Sequence, residues 1–265
     1  MKDVLGQAIA DYYHMTSTAK LWVHSQVYRR YTGRRPDIRG FEPQGYISQK
    51  SLRLESNGPR DLMPVETYFR NADNMPELEW IALQHCRGRI LDIGAGAGSH
   101  TLFLQQSGLH ATALEISPKA AGVIEARGVK HIHCQDFFTI DARKKYDTLL
   151  LLMNGIGLAG TIDGLRTFLK KARTLLRPDG RLVFDSCDVA YLYNGRPPKG
   201  LPYYGEVLYQ YEYRRMRSSW FHWLFIDRLT LGRIAAEEGW NVTLLYKDKF
   251  GHYLVECTPG PAPAS

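Results

Sequence analysis

The stretch Ile90-Leu91-Asp92-Ile93-Gly94-Ala95-Gly96-Ala97-Gly98 constrains this chain more than any other. A mostly apolar strand pattern runs into three alternating glycines, and a helix-forming segment follows. Glycine lets the backbone turn sharply and lets a ligand lie against bare main chain. The helix start beyond it offers N–H groups without intrahelical partners. Such a loop suits several nucleotide-like ligands. Two details discriminate. A dinucleotide fingerprint needs glycine or alanine three residues after Gly96, and Ser99 stands there. Asp92 lies at the strand end before the first glycine, where a carboxylate suits a cationic ligand better than a pyrophosphate.

Around this loop, residues 89–185 alternate strand and helix. Strands are expected at 89–93, 111–115, 130–133, 148–153 and 181–185. Helices are expected at 98–106, at 118–126 with Ser117 as cap, and at 162–176. That alternation means an open, mainly parallel α/β sheet. Val242–Tyr246 and Tyr253–Cys257 read as a final antiparallel pair, preceded by a helix that Thr230 caps. Three zones follow: 1–88 as an N-terminal helical and loop cap, 89–257 as the main domain with an insertion at about 186–225, and 258–265 as a disordered tail. In the cap, Val4, Leu5, Ala8, Ile9 and Tyr12 share a helix face. Residues 33–59 read as a long loop. Pro64 and Pro76 read as first-turn prolines, and Leu78, Ile81, Ala82 and His85 as the inner face of the second helix. In the insertion, Val207, Tyr209, Tyr211 and Tyr213 alternate with polar neighbours as in a β-hairpin.

Three further strand ends carry chemistry, and carboxyl ends of strands are where open α/β sheets bind ligands. Glu115 can accept both hydroxyls of a ribose, and Ile116 can pack on an adenine. Asp136 offers a carboxylate to the adenine amino group, with Phe137 as its aromatic neighbour. Met153-Asn154-Gly155 opens a glycine-loosened loop over the pocket.

The chain here resembles the class I S-adenosylmethionine-dependent methyltransferases, over about residues 76–257. The motifs are Leu91–Gly98, Ala113–Pro118, Gln135–Phe138, Tyr146–Gly157 and Leu176–Asp185. The resemblance implies a Rossmann-like, mostly parallel seven-stranded sheet with an antiparallel last strand and helices on both faces. It implies S-adenosyl-L-methionine as cofactor and S-adenosyl-L-homocysteine as product, cradled by Asp92, Gly94, Ala95, Gly96 and Gly98. Residues 1–75 and 186–225 match no family motif and are expected to build the substrate lid. There, Arg70 is expected to pair the cofactor's carboxylate, with Tyr68 or Phe69 shielding the sulfonium.

Absences narrow the acceptor. No Asn-Pro-Pro-Tyr sequence follows the fourth strand, and no Pro-Cys pair occurs, which argues against methylation of nucleic-acid bases. A small-molecule acceptor remains the expectation. RNA is the alternative, motivated by the net charge of +7 and by Arg29, Arg30, Arg34, Arg35 and Arg39. A non-catalytic cofactor-binding partner protein is another, and a nicotinamide oxidoreductase is disfavoured by Ser99 and Asp92. His14, His24, Asp188, Tyr203, Tyr204 and His222 are candidate general bases, and none is assigned. His131, His133 and Asp136 fall short of a metal site. Four scattered cysteines, no signal-like start and no bilayer-length apolar run give the expectation of a cytoplasmic protein without a membrane partner.

Overall fold

The computed structural model describes residues 2–15, 20–30, 52–56, 61–200 and 202–260. The chain opens with α1 (Val4–Tyr13), capped by Asp3, whose Oδ1 accepts from the Gly6 amide at 2.9 Å. Val4, Ala8 and Ile9 turn inward, while Tyr12 stays 42% exposed. Then come β1 (Leu21–Arg30), β2 (Leu52–Ser56) and β3 (Asp61–Met63). The first two correct the expected reading of the cap as helix and loop. Of the arginine cluster, Arg34, Arg35 and Arg39 lie outside the described residues, as do the side chains of Arg29 and Arg30. A 3-10 turn over Val65–Phe69 leads to α2 (Glu77–Gln84), with Pro76 just before it. Of the expected face, Ala82 is buried and Leu78 and Ile81 are partly buried against the same core; the helix also buries Leu83 and Glu79, and Glu79 meets the two partners described below.

The main sheet follows the expected alternation: β4 (Arg89–Ile93), α3 (Ser99–Gln106), β5 (His110–Glu115), α4 (Pro118–Ala126), β6 (Ile132–Cys134), β7 (Tyr146–Leu151), α5 (Ile162–Leu175) and β8 (Leu176–Cys187). Successive side chains on a strand point to opposite faces. Leu91, Leu149 and Leu182 therefore pack in one core with Phe168 and Leu169 of α5. Ile90, Leu150 and Val183 pack in a second core with Ala82 of α2 and Leu104 of α3. Burial on both faces is why these strands read as continuous apolar runs.

The rest of the chain forms β9 (Glu206–Tyr213), β10 (Met216–Arg217), β11 (Phe221–Leu224), α6 (Arg228–Glu237), β12 (Trp240–Lys247) and β13 (His252–Pro259). Asp227, not Thr230, caps α6, because its Oδ1 reaches the Leu229 and Thr230 amides at 2.9 and 3.0 Å. β13 runs to Pro259, inside the segment expected to be tail. The large sheet has seven strands in the order β12-β13-β8-β7-β4-β5-β6, with only β13 antiparallel to its neighbours. A second, six-stranded antiparallel sheet has β9 at its centre, paired with β1, β10 and β11, while β2 and β3 pair with β1. The cap and the insertion are thus one sheet. Its β1–β9 ladder runs from Leu21↔Tyr213 to Gln26↔Leu208.

Candidate functional site

The glycine loop after β4 owes its shape to backbone that other residues rarely adopt. Gly94, Gly96 and Gly98 have φ of +74°, +60° and +79°. The amides of Gly94 and Ala95 both donate to the Leu114 carbonyl, at 2.9 and 3.1 Å, which ties the loop to the end of β5. A Cβ at Gly94 would meet nothing within 4 Å, so the main chain there borders open space. A Cβ at Gly96 would stand 2.8 Å from Tyr68 Cδ1, and one at Gly98 would press on Ile124 and Val129. Ala95 is buried. The loop therefore packs Gly98 inward, faces Gly94 to solvent space and carries the Tyr68 ring over Gly96.

Glu115 ends β5 beside this loop, 9% exposed. Its Oε2 accepts from the Gly96 amide and its Oε1 from the Ser117 amide, both at 2.9 Å. Burial raises its pKa, and these backbone donors pull the other way. Each oxygen keeps a further lone pair for a ligand. Ile116 follows with 66% of its surface exposed, an apolar side chain at a strand end with nothing packed on it. Asp136 caps the next turn, its Oδ1 accepting from the Phe138 amide at 2.8 Å. Phe137 is a correction: its ring is 5% exposed and stacks on Phe168 at 4.6 Å, inside the core. The outward aromatic is Phe138, 40% exposed.

At the other side of the loop lies a buried charge cluster. Glu79 Oε1 pairs with Arg70 Nη1, and Glu79 Oε2 with His100 Nε2 at 2.9 Å. The remaining donors of Arg70 have no partner among the described residues. Burial opposes protonation of His100, yet Glu79, Asp92 and Asp185 outweigh it and raise its pKa. Asp92 is 2% exposed, accepts from Thr101 Oγ1 at 2.6 Å, and has its pKa pushed up by burial. Tyr68 donates to Met63 Sδ at 3.4 Å. Its backbone carbonyl accepts from Ser99 Oγ at 2.8 Å, which fastens the turn onto the start of α3.

The loop after β7 holds two consecutive non-glycine residues in left-handed backbone, Met153 at φ +60° and Asn154 at +56°. Such strain persists only where surroundings enforce it. Here the Asn154 amide donates to both oxygens of Asp185 at 2.9 Å, and Ser186 Oγ bonds Asn154 Oδ1 at 3.1 Å. Burial lifts the Asp185 carboxyl to about 6. Gly155 starts the turn that follows. Gly157 in that turn has no room for a Cβ, because the Trp223 indole of β11 lies against it.

The loops at the strand ends are thus met at two places, at Gly157 by Trp223 of the antiparallel sheet and at Gly96 by Tyr68 of the turn that follows β3. Between them β9 presents the expected face of Val207, Tyr209, Tyr211 and Tyr213. Burial raises the Tyr211 hydroxyl to about 12, with Glu115 adding to it, and raises Tyr209 further. Several candidate bases stand elsewhere. His24 lies on the outer face, 2.9 Å from Glu212. His14 ends α1, and burial lowers the His222 pKa. Tyr203 donates to Asp227 at 2.7 Å and Tyr204 to Asp188 at 2.8 Å. Among the described residues no group of three His, Cys, Asp or Glu could hold a metal, and His131 stacks on His110 instead. Sequence reasoning missed Phe138 and the Glu79–His100 pair. It found the tyrosine alternation of β9 without showing which face meets the site.

The comparisons with known proteins agree with this geometry. A family described as methyltransferase domain matches residues 66–245. An S-adenosylmethionine-dependent methyltransferase from Bacteroides fragilis, solved with S-adenosyl-L-homocysteine, is 34% identical with a TM-score of 0.80, covering 98% of this chain and 95% of that one. A S-adenosylmethionine-dependent methyltransferase from Clostridium acetobutylicum shares the fold at 13% identity and TM-score 0.54, over 71% of this chain and 94% of that one. The DhpI complex with S-adenosyl-L-homocysteine does so at 21% identity and TM-score 0.51, over 68% and 83%. No curated protein matches the sequence.

Proposed function

This chain belongs to the S-adenosylmethionine-dependent methyltransferases, and from that premise we propose that it methylates a small-molecule acceptor enclosed between the strand ends and the antiparallel sheet. S-adenosyl-L-methionine is the cofactor and S-adenosyl-L-homocysteine the product. When bound, the cofactor supplies a methyl carbon already activated by a positive sulfur. The residues fit it: Gly94 leaves open space beside left-handed backbone, and Glu115 is buried yet fixed by two amides with lone pairs to spare.

Gly94, Ala95, Gly96 and Gly98 form the cradle. Glu115 takes the ribose hydroxyls, Ile116 and Phe138 flank the adenine, and Asp136 accepts from its amino group. Asp92 sets a negative field for the amino-acid end, and Arg70, held by Glu79, takes the carboxylate there. Tyr68 covers Gly96 and keeps water from the sulfonium side. Met153, Asn154 and Gly155, fixed by Asp185, border the reacting end. Segments 1–88 and 186–225 act as the lid of the core domain 89–257. Proximity and exclusion of water then lower the barrier by about 7–11 kcal/mol.

One observation carries the small-molecule reading. Trp223 of the added sheet lies against Gly157 and Tyr68 of the turn after β3 lies against Gly96, so an acceptor must fit between them. Free thiols at Cys86, Cys134, Cys187 and Cys257 accord with a cytoplasmic setting, and no helix among the described residues is long and apolar enough to cross a membrane. The test offers methyl-labelled cofactor with a low-molecular-weight metabolite fraction and, separately, with total RNA. Label is expected in a metabolite. Label in RNA alone would overturn the reading.

A further inference from the structure

Methyl transfer makes no use of the other end of the parallel sheet, where the strands begin. There a cleft of about 710 Å³ is lined by Arg89, Arg143, Lys144, Lys145, Arg173 and Arg177. The rest of its lining is Leu176 and two prolines, and no acid lines it. Four elements bring these cations together. Arg89 opens β4, Arg143 to Lys145 lead into β7, Arg173 stands in the last turn of α5, and Arg177 lies at the start of β8. β4 is five residues long, so the cleft lies roughly 15 Å from the glycine loop at its far end.

Few of these charges are neutralised. Among the described residues two carboxylates touch the six cations. Asp141 pairs with Arg143 at 2.6 Å, and Asp147 stands 3.4 Å from Arg177. An excess of four positive charges therefore surrounds one cleft, more than half of the net +7 of the whole chain. Main chain holds two of the cations in place. Lys145 Nζ donates to the Thr174 carbonyl. Arg173 donates to the Gly239 and Gly260 carbonyls, and its guanidinium lies over the Trp240 ring at 5.4 Å. Lys144 Nζ meets only the His133 ring, at 3.2 Å. The guanidinium of Arg89 has no hydrogen-bond or ion-pair partner among the described residues. Like charges repel, so gathering them in a hollow carries a cost that a multivalent anion would offset.

We propose that this cleft binds a short inorganic phosphate chain, recognised by charge and by guanidinium forks. A phosphate group accepts two parallel hydrogen bonds from one arginine, and the lysines add point charges. Single-stranded nucleic acid carries phosphates too, but its binding draws on bases stacked on aromatic rings. No ring lines this cleft, and Trp240 beneath Arg173 and Tyr146 beside Lys145 are both buried. The site stands apart from the cofactor and acceptor reading and does not depend on it.

Calorimetry at about 0.15 M salt, where weak surface attraction is screened, tests this with tripolyphosphate, sulfate, ATP and a short single-stranded RNA. The protein is first saturated with S-adenosyl-L-homocysteine, which keeps ATP from any adenine site. Tripolyphosphate is expected to bind at least about tenfold more tightly than sulfate, through its further charge-assisted hydrogen bonds. ATP presents the same chain from a nucleotide source and should bind no more tightly, since its base finds no ring. Arg89→Glu should weaken tripolyphosphate by at least about tenfold, the loss of a hydrogen bond between charged groups. Unchanged affinity for S-adenosyl-L-homocysteine would show that this variant is folded. Arg196→Glu makes the same change in net charge at a separate cleft, and should stay within about twofold of wild type. Tripolyphosphate no tighter than sulfate, or equal losses from Arg89→Glu and Arg196→Glu, would overturn the proposal. So would ATP or RNA binding about tenfold more tightly than the inorganic chain, since either would mean that bases are recognised.

Discussion

The parallel sheet fixes its strand-end groups with main chain, and the lid above it makes contact through rings. On the parallel side, amides of Gly96 and Ser117 fix Glu115, and the Asn154 amide ties the β7 loop to Asp185. Positive φ at Gly94, Gly96 and Gly98 sets the loop. On the side of the lid, the contacts are the Trp223 indole of the antiparallel sheet at Gly157 and the Tyr68 ring of the turn after β3 at Gly96. Backbone geometry tolerates few substitutions, whereas rings can be exchanged to reshape a surface. On the reading proposed above, the difference separates two tasks: the cofactor lies against the first sheet and the acceptor under the second.

The sharpest way to break that division is Gly96→Val. It adds a β-branched side chain at φ +60° and drives it into Tyr68. Affinity for S-adenosyl-L-homocysteine should fall by at least about a hundredfold, since both the loop and the space are lost. Calorimetry showing ordinary affinity would place the cofactor elsewhere.

Asp185 tests the cost of holding the strained loop with a buried acid. Its folded pKa of about 6 lies above the value of 3.8 expected when unfolded. A raised pKa means the folded chain keeps the proton longer. The stabilisation is whole below about pH 4, falls as pH rises, and is gone above about pH 6. At 1.36 kcal/mol per pKa unit this amounts to about 2–3 kcal/mol. Urea unfolding of wild type at pH 4 to 7 should show that fall, and Asp185→Asn should lack it. Parallel curves for the two proteins would show that Asp185 does not titrate there.

Glu115→Ala comes next. It removes a charged acceptor worth about 1.5–3 kcal/mol, so affinity for S-adenosyl-L-homocysteine should drop about ten- to a hundredfold at unchanged fold. On the other sheet, Gly157→Ala should displace Trp223 and cost turnover about tenfold through misplacement of the acceptor. Affinity for the homocysteine product should stay within about twofold, below any hydrogen-bond loss. A matched loss of both would dissolve the distinction between the two sheets.

The same contrast explains what the sequence made legible. Each cofactor-side motif is local: a strand, its terminal acid and the next helix cap lie within about ten residues, and period and glycine spacing announce them. Ser117 as the cap of α4 and the Gly94–Gly98 turns were readable for that reason. The antiparallel sheet is not local. Leu21 pairs with Tyr213, and β1 carries Ser25 in its inward row, so neither strand signals its partner. Phe137 and Phe138 are chemically identical neighbours. Only the turn capped by Asp136 decides that Phe137 enters the core. Asp227 and Thr230 are both capping residues, and the choice rests on which oxygen reaches two amides. Glu79 reads as a surface acid on a helix until Arg70 and His100 are brought to it from other elements.

Arg70 lies on the segment that leads from the antiparallel sheet to the parallel one, and its replacement should have the smallest effect. It follows the turn that carries Tyr68 and is anchored to Glu79, which also binds His100. Glu79 is 4% exposed, so it holds one arm of the guanidinium in a fixed place and leaves the others free. Arg70→Lys keeps the charge and the tie to Glu79 but loses the two parallel donors that match a carboxylate. S-adenosyl-L-methionine should bind about three- to tenfold more weakly, the value of one hydrogen bond out of two. Decarboxylated S-adenosylmethionine has no carboxylate to lose and should bind both proteins equally. The fold should be undisturbed, since lysine still neutralises Glu79. Equal losses for both ligands would mean that Arg70 acts only by holding Glu79 and His100 in place. No loss for either would leave the amino-acid end of the cofactor to the backbone of the glycine loop.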